Sequence, residues 1–143
     1  MREAASIIAR LAHKGQLYGG RDYYEAHILQ VVRNVEEDEF FAGTGFDREI
    51  AVEAAYLHDT IEDTFLTTDC LMALGIRPTV VALVDCLTKR EGEKYEEYIE
   101  RVSCDWLARI VKKADLKANL ANNPPTRLRI RYGGAMARLL RSP

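Results

Sequence analysis

Proline is absent from the first 77 residues, so proline breaks no helix in that stretch. Apolar residues there return every three or four positions, the spacing that places them on one face of an α-helix. The first such group is Ala4, Ile7, Ile8, Leu11 and Ala12. This group predicts an amphipathic helix that ends at Gly15.

The same spacing predicts helices along most of the remaining chain. Asp47 is the expected N-cap of one helix, and Pro78 suits the first turn of another, where no backbone N–H is needed. Glycines in residues 41–46 predict a loop. With no hairpin signal and no internal repeat, we expect an all-α fold in a single domain over residues 1–143. The further predicted helices span residues 24–35, 47–57, 78–87, 93–103, 105–121 and 126–141.

The composition is that of an ordinary soluble domain, with 48% hydrophobic and 29% charged residues. Apolar runs stay well short of the ~18 residues that a membrane-spanning helix requires. A formal net charge of −2 does not indicate nucleic acid as a partner. Scattered cysteines without a CxxC pattern, and an N-terminus unlike a signal peptide, predict a cytoplasmic protein with reduced, buried thiols.

One histidine, His58, is followed closely by three acidic residues, Asp59, Glu62 and Asp63. If the helix before them continues, all four side chains lie along one of its faces. Carboxylates at this density repel one another unless a cation or a proton intervenes, and an unpaired charge is costly to bury. The cluster therefore predicts either a divalent-cation site or a carboxyl group that stays protonated.

Asp115 and His27 each allow two interpretations when taken alone. Asp115 stands beside the apolar face of its predicted helix, where it is either a cation ligand or a carboxylate paired with Lys112 or Arg109. His27 is either a ligand or a histidine that packs in the core or caps a helix. Asn119 follows Asp115 by one helical turn and shares its face.

The order of these residues resembles a known enzyme superfamily. His27, then His58-Asp59, then Asp115 resembles the HD superfamily of metal-dependent phosphohydrolases. More closely, His58-Asp-Thr-Ile-Glu-Asp-Thr64 resembles the HD-x-x-ED-T signature of the hydrolase domain of RelA/SpoT proteins. Three further elements resemble parts of that domain, namely Ala12-His-Lys-Gly-Gln16, Leu87-Thr-Lys89 and Val111-Lys-Lys-Ala-Asp115 with Asn119. The resemblance covers about residues 4–122 and implies a stand-alone all-α hydrolase domain.

The resemblance implies one divalent metal ion and a phosphohydrolase activity. The implied ligands are His27, His58, Asp59 and Asp115. Two imidazoles and two carboxylates suit Mn²⁺, which we expect, or Fe²⁺ or another divalent transition metal. The implied activity is hydrolysis of a phosphoester or pyrophosphate of a small nucleotide, with guanosine 3′,5′-bis(diphosphate) 3′-pyrophosphohydrolase the nearest case. The alternatives are a nucleoside mono- or triphosphate phosphohydrolase and a nucleotide-binding sensor.

Further residues receive roles from the same resemblance. Glu62 and Asp63 lie just outside the ligand set, where they would move protons between the attacking water and the leaving oxygen. His13 receives no ligand role and is interpreted as a packing residue. The expected substrate contacts are Tyr18, Arg21, Lys89, Lys112 and Asn119.

One segment departs from the family pattern. Between Gln16 and His27, RelA/SpoT hydrolase domains carry Arg-Lys-Ser-Gly, whose basic residues engage the guanine and the phosphates, and this chain has Tyr18-Gly-Gly-Arg21 instead. The ring of Tyr18 can stack on a base. Because two cations are lost, we expect weaker binding of guanosine tetraphosphate than the other motifs suggest.

Basic residues dominate the chain after Asp115, with no acidic residue among them. Such a segment binds phosphate, nucleic acid or an acidic patch such as residues 36–39 of another copy, and we favour self-association into a homo-oligomer. The basic residues are Lys117, Arg127, Arg129, Arg131, Arg138 and Arg141. An upstream mixed set either rims an anion pocket or belongs to a solvated helix, and it comprises Lys89, Arg90, Tyr95 and Tyr98.

Overall fold

The computed structural model describes residues 2–41 and 45–141, and within these ranges it confirms the predicted all-α fold. The helices are α1 (Arg2–Ala12), α2 (Leu29–Glu36), α3 (Phe46–Leu57), α4 (Thr60–Asp63), α5 (Thr68–Ala73), α6 (Pro78–Cys86), α7 (Tyr95–Ser103), α8 (Trp106–Ala121) and α9 (Thr126–Leu140). A π-helical turn (Tyr24–Ile28) runs directly into α2, and a 3₁₀ turn (Glu39–Phe41) follows it. The strands β1 (Leu17–Tyr18) and β2 (Arg21–Asp22) lie between α1 and α2.

Helix α3 runs through the middle of the core because most of its side chains are small or apolar. It packs against α1, α2, α6 and α8. Its buried apolar residues are Ile50, Ala51, Val52, Ala54, Ala55 and Leu57. Helices α2 and α8 also pack on each other, so α2, α3 and α8 are in mutual contact.

A β-hairpin formed by β1 and β2 contradicts the expectation that the chain contains none. Its two central residues, Gly19 and Gly20, have φ values of +56° and +81°. A two-residue type I′ turn requires positive φ at both positions, which glycine adopts without a steric penalty. The Gly-Gly pair was therefore the hairpin signal in the sequence.

The start of α3 also differs from the prediction. The helix begins at Phe46, with Gly45 rather than Asp47 in the N-cap position. Asp47 lies in the first turn, where its negative charge still interacts favourably with the positive end of the helix dipole. The predicted loop over residues 41–46 lies partly outside the described residues, which omit 42–44.

Two features bear on the environment of the protein. The cysteines are free, as predicted, but Cys104 is exposed and Cys70 and Cys86 are only partly buried, so the expectation of buried thiols is wrong. Across residues 2–41 and 45–141, the helices are too short or too polar to cross a membrane. Cytoplasmic localisation stays a prediction.

Candidate metal centre

The four predicted ligands come from three separate parts of the fold. His27 lies in the π-helical turn before α2, His58 and Asp59 form the junction between α3 and α4, and Asp115 lies in α8. Single π-helical turns are frequent at functional sites. One donor atom from each residue lies within 4.8 Å of all the others. The structure thus brings the four residues together, and their role as ligands stays a prediction.

The donor atoms of the cluster face one another closely. His27 Nε2 lies 3.0 Å from Asp115 Oδ1 and 3.6 Å from Asp59 Oδ2. His58 Nε2 lies 3.1 Å from Asp59 Oδ2 and 3.4 Å from Asp115 Oδ1. Asp59 is partly exposed and the other three side chains are buried. Two imidazole nitrogens and two carboxylate oxygens form a donor set that suits a divalent transition metal.

The hydrogen bonds of His58 show why this cluster fits a cation. Its Nδ1 lies 2.7 Å from the carbonyl oxygen of Ala55, which only accepts, so Nδ1 carries a proton. Its Nε2 is buried and has no hydrogen-bond partner among the described residues, although oxygens of Asp59 and Asp115 are its neighbours. A lone pair facing two carboxylates is repulsive unless a proton or a cation lies between them. A metal-bound histidine commonly donates its other N–H to a backbone carbonyl, as His58 does.

In the absence of a metal, the carboxylates favour protonated histidines. Burial alone lowers the pKa of His58, but Asp59 and Asp115 outweigh burial and raise the pKa well above its ordinary value. Burial also lowers the pKa of His27, but hydrogen bonds to the same two carboxylates outweigh burial and raise it. A cation that binds these nitrogens must displace the protons, so its binding weakens as the pH falls.

Asp115 has two further partners on its own helix. Lys112 Nζ donates to Asp115 Oδ2 at 2.8 Å, and Asn119 Nδ2 donates to Oδ1 at 3.3 Å. Burial opposes ionisation, but the charge of Lys112 together with the hydrogen bonds from His27 and His58 outweighs burial and holds the pKa of Asp115 well below its ordinary value. Of the two partners that the sequence offered for Asp115, Lys112 forms the ion pair. Arg109 instead donates to backbone carbonyl oxygens at the ends of α7 and α9.

Two tyrosines support the cluster from the outside. The Tyr23 hydroxyl donates to Asp59 Oδ2, a contact that the sequence did not indicate. The ring of Tyr18 stacks on His27, with centroids 4.8 Å apart and an angle of 25° between the rings. The Tyr18 hydroxyl donates to Asn119 Oδ1 at 2.7 Å. Both tyrosines follow α1 at or next to the hairpin, so they reach the cluster only because the hairpin folds over it.

Glu62 and Asp63 would share one helical face with His58 and Asp59 only if the helix before them continued, and it does not. Helix α3 ends at Leu57, and Asp59 is the N-cap of the separate short helix α4. The break lies within the motif itself, at the junction that carries the two candidate ligands. It turns the acidic pair into the cavity next to the cluster.

Both acidic side chains are solvent-accessible and hydrogen-bonded. Glu62 Oε1 accepts from the backbone N–H of Lys89 at 2.6 Å, and Asp63 Oδ2 accepts from Gln16 Nε2 at 3.3 Å. Partial burial raises the pKa of both carboxyl groups, and the charge of Asp59 raises that of Asp63 further. Each carboxyl group therefore exchanges its proton at a pH closer to neutral than an ordinary surface carboxyl group does.

A cavity of about 380 Å³ is lined by His27, Asp59 and Asp115 of the cluster and by most of the other predicted site residues. Helix α9 contributes Arg131 and Tyr132 to its wall, which the sequence did not place there. Arg131 Cζ lies 5.0 Å from the ring centroid of Tyr95. The predicted residues on the wall are Tyr18, His27, Asp59, Glu62, Asp63, Lys89, Lys112, Asp115 and Asn119.

The upstream mixed set divides between the two interpretations. Tyr95 and Tyr98 line the cavity together with Lys89, as a pocket rim requires. Arg90 forms an ion pair with Asp85 at 3.0 Å and does not line the cavity.

A second cavity of about 390 Å³ adjoins the first and shares Tyr18, Asn119 and Tyr132 with it. Arg21, a predicted substrate contact, lies here rather than in the cavity of the metal cluster. Its remaining walls are amides and apolar groups, and none of the described residues that line it is acidic. These residues are Gly19, Ala26, Asn122, Asn123, Pro124, Pro125 and Leu128.

Arg138 of the basic segment and Glu36 of the acidic patch both form ion pairs within the chain. Arg138 donates to both carboxylate oxygens of Glu100 at 2.6 and 2.7 Å. Glu36, from the acidic patch, pairs with Arg2 at 3.3 Å and Arg48 at 3.6 Å. These ion pairs occupy part of the charge on each surface. Self-association through the two surfaces stays a prediction.

Comparison with known proteins identifies the fold. Neither a family model nor a curated protein matches the sequence. A solved structure does match, that of a metazoan ortholog of SpoT that hydrolyses ppGpp and plays a role in starvation responses. The match has a TM-score of 0.75 and 23% sequence identity, and it covers 98% of this chain and 84% of the other. The resemblance to the RelA/SpoT hydrolase domain is thereby confirmed at the level of the fold.

Proposed function

We propose that this chain is a divalent-metal-dependent phosphohydrolase that acts on a phosphoester or pyrophosphate of a small nucleotide. One observation carries the proposal: His58 Nε2 is buried without a hydrogen-bond partner among the described residues and faces oxygens of Asp59 and Asp115. A divalent cation held there with His27 relieves the repulsion. The same fold in a protein that hydrolyses ppGpp supports the proposal.

The ion would be held by His27, His58, Asp59 and Asp115, and we expect Mn²⁺, with Fe²⁺ as the alternative. A bound divalent ion lowers the pKa of water and offsets negative charge on a phosphoryl group. Hydrogen bonds from outside the cluster hold the ligand carboxylates in orientation. Lys112 does so for Asp115, and the Tyr23 hydroxyl does so for Asp59.

Glu62 and Asp63 would carry the protons of the reaction. A carboxyl whose pKa is raised can accept a proton from water and return it to a leaving oxygen near neutral pH. The Lys89 N–H fixes one oxygen of Glu62, and Gln16 fixes one oxygen of Asp63. The second oxygen of each carboxyl has no hydrogen-bond partner among the described residues and would be the one that exchanges the proton.

The adjoining cavity supports a nucleotide as the substrate. Tyr18 and Tyr132 offer ring faces for stacking, Asn122 and Asn123 offer amide donors and acceptors, and Arg21 offers a positive charge. Because the two cavities share a wall, a base can occupy one while a phosphate group reaches the metal cluster in the other.

Two nucleotide classes compete for this site. Guanosine tetraphosphate is favoured by the motifs and the fold. Simpler nucleoside mono- or triphosphates are favoured by the Tyr18-Gly19 pair, which removes two cations from the hairpin. A sensor without catalysis is the weaker alternative, because it has no need of two carboxyl groups with raised pKa.

The test is a hydrolysis screen of Mn²⁺-loaded protein over nucleoside mono- and triphosphates and 3′-pyrophosphorylated guanosines. The Glu62→Gln variant keeps an acceptor for the Lys89 N–H but loses the titratable group. Its turnover should fall by about 10²–10⁴ while its metal content is unchanged. Glu91→Gln, at an exposed position outside the cavity, is the matched control. Absence of hydrolysis for every nucleotide, or full activity of Glu62→Gln, would contradict the proposal.

A further inference from the structure

One buried histidine lies outside the metal cluster. His13 is 1% exposed and follows directly after α1. Its Nδ1 lies 2.8 Å from Gln16 Oε1, and Gln16 Nε2 lies 3.3 Å from Asp63 Oδ2. Two hydrogen bonds therefore connect this histidine to a carboxyl group in the wall of the cavity. The ring also packs against Tyr23, with centroids 4.8 Å apart.

The protons along this chain can be assigned from its acceptor end. An ionised Asp63 only accepts, so Gln16 must turn its amide NH₂ toward the carboxylate. The Gln16 carbonyl oxygen then faces His13, and Nδ1 of His13 must carry the proton of that hydrogen bond. His13 Nε2 is buried without a partner among the described residues, so a second proton there would be an unsatisfied donor. The proton of the hydrogen bond between His13 and Gln16 thus lies on Nδ1 of His13.

The unpartnered Nε2 favours this tautomer without reference to Asp63, so the tautomer independently selects the orientation of the Gln16 amide. An amide can rotate by half a turn with little change in shape, which exchanges its oxygen and its nitrogen. If the amide turned over, its oxygen would meet the Asp63 carboxylate and its NH₂ would meet the Nδ1–H of His13. Both contacts would be repulsive, so the buried histidine excludes that orientation.

We propose that His13 is a positioning residue that, through the amide of Gln16, holds Asp63 in the orientation needed for proton transfer. The inference rests on the proton-transfer role of Asp63 proposed above. It also gives a function to the Ala12-His-Lys-Gly-Gln16 motif, which contributes no ligand to the metal cluster. His13 itself touches neither the cluster nor the substrate, so its effect should appear in kcat.

The experiment compares kcat and KM of Mn²⁺-loaded variants on the nucleotide that the wild type hydrolyses fastest. His13→Leu and Gln16→Leu should each lower kcat about tenfold with KM changed less than about twofold, because a misplaced group slows the chemical step. The double variant should match Gln16→Leu within about twofold, because both changes break the same connection. A double variant about a hundredfold below wild type would show independent effects and overturn the proposal.

Rescue by a conservative variant separates positioning from packing. In His13→Asn the amide nitrogen occupies the place of Nδ1 and can donate to Gln16, whereas in His13→Leu no donor is present. His13→Asn should recover most of the lost kcat although it leaves more empty space in the core. Thermal unfolding of each variant sets an assay temperature at which all of them are folded. Equal kcat values for the Asn and Leu variants would overturn the proposal.

Two further measurements separate this inference from the proposed function. ¹⁵N NMR of the wild-type protein at neutral pH reports the tautomer of His13 without any turnover, and an Nε2–H or doubly protonated ring would overturn the inference. Asp63→Asn tests the proton-transfer role itself. Full turnover in Asp63→Asn contradicts that role, whereas low turnover in Asp63→Asn with full turnover in His13→Leu contradicts the positioning role alone.

Discussion

Replacing Lys112 by methionine should destabilise the metal-free protein more than the metal-loaded protein. Lys112 Nζ lies 2.8 Å from Asp115 Oδ2, and the side chains of the pair are only 13% and 6% exposed. At that distance and an effective dielectric constant of about 20, the attraction is about 6 kcal/mol before desolvation is subtracted. Removing one partner of a buried pair typically costs about 3–5 kcal/mol because the other charge stays buried.

The environment of Asp115 sets where in that range the value falls. Asp115 keeps Asn119 and His27 as partners, so we expect a loss of about 3 kcal/mol in the free energy of unfolding without metal. A bound cation neutralises Asp115 in place of Lys112. The remaining loss is then the contact of Lys112 with the Tyr98 ring, 5.2 Å from its centroid, and is about 1–2 kcal/mol.

Urea unfolding followed by circular dichroism, in EDTA and in saturating Mn²⁺, measures both losses. A difference of about 1.4 kcal/mol between them requires the variant to bind Mn²⁺ about tenfold more tightly, which a direct titration checks. Lys117→Met is the control, since Lys117 is exposed on the same helix and should change stability by less than about 0.5 kcal/mol. Equal losses in the two conditions, or weaker Mn²⁺ binding by Lys112→Met, would refute the reasoning.

Further predictions concern the metal, the pH dependence and the substrate. His58→Ala and Asp115→Ala should each lose the roughly one Mn²⁺ per chain that elemental analysis should find in the wild type, whereas the exposed control Asp69→Ala should keep it. The gain in Tm from Mn²⁺ should grow as the pH rises above about 6.5, the ordinary pKa of histidine. Groups with raised pKa such as His58 stabilise the metal-free protein fully below their unfolded pKa and lose that contribution as the pH rises through the folded value, so a constant gain in thermal scans would contradict this prediction. Tyr18→Arg should raise kcat/KM for guanosine tetraphosphate relative to GTP about tenfold, by adding one charge-assisted hydrogen bond. Gly19 is left unchanged in that variant because its φ of +56° disfavours a side chain, and an unchanged substrate ratio would show that the hairpin does not contact the substrate.

The sequence by itself predicted the longer helices, because their signals are local, but it did not predict α4 or the π-helical turn at Tyr24–Ile28. Pro78 occupies the first turn of α6, and Asp105 caps α8 by accepting from the N–H of Ala108. Thr67 caps α5 in the same way, by accepting from the N–H of Cys70. Each of these contacts joins residues within one turn, so residue type and spacing are sufficient to predict them.

The sequence also indicated a possible cation site at His58 and Asp59, but His27 and Asp115 joined the candidate ligands only through the ordered set that resembles a family. The end of α3 at Leu57 agrees with the helix predicted over residues 47–57, but the sequence did not show whether the acidic residues after it continue that helix, because polar residues after an apolar run are compatible with either outcome. The hairpin was missed. Its strands are two residues each, which is too short for a period-two pattern, and only Gly19-Gly20 marked it.

Only the tertiary structure decided which atoms of the site face one another. The Tyr18–Asn119 hydrogen bond joins residues 101 positions apart, and the Tyr23–Asp59 hydrogen bond joins residues 36 positions apart. The unpartnered nitrogen of His58 and the Arg131 side chain in the cavity wall likewise depend on how separate helices pack. The burial of whole apolar helix faces decides how the helices pack. The contacts of a polar side chain at the edge of such a face follow only once all the helices are in place.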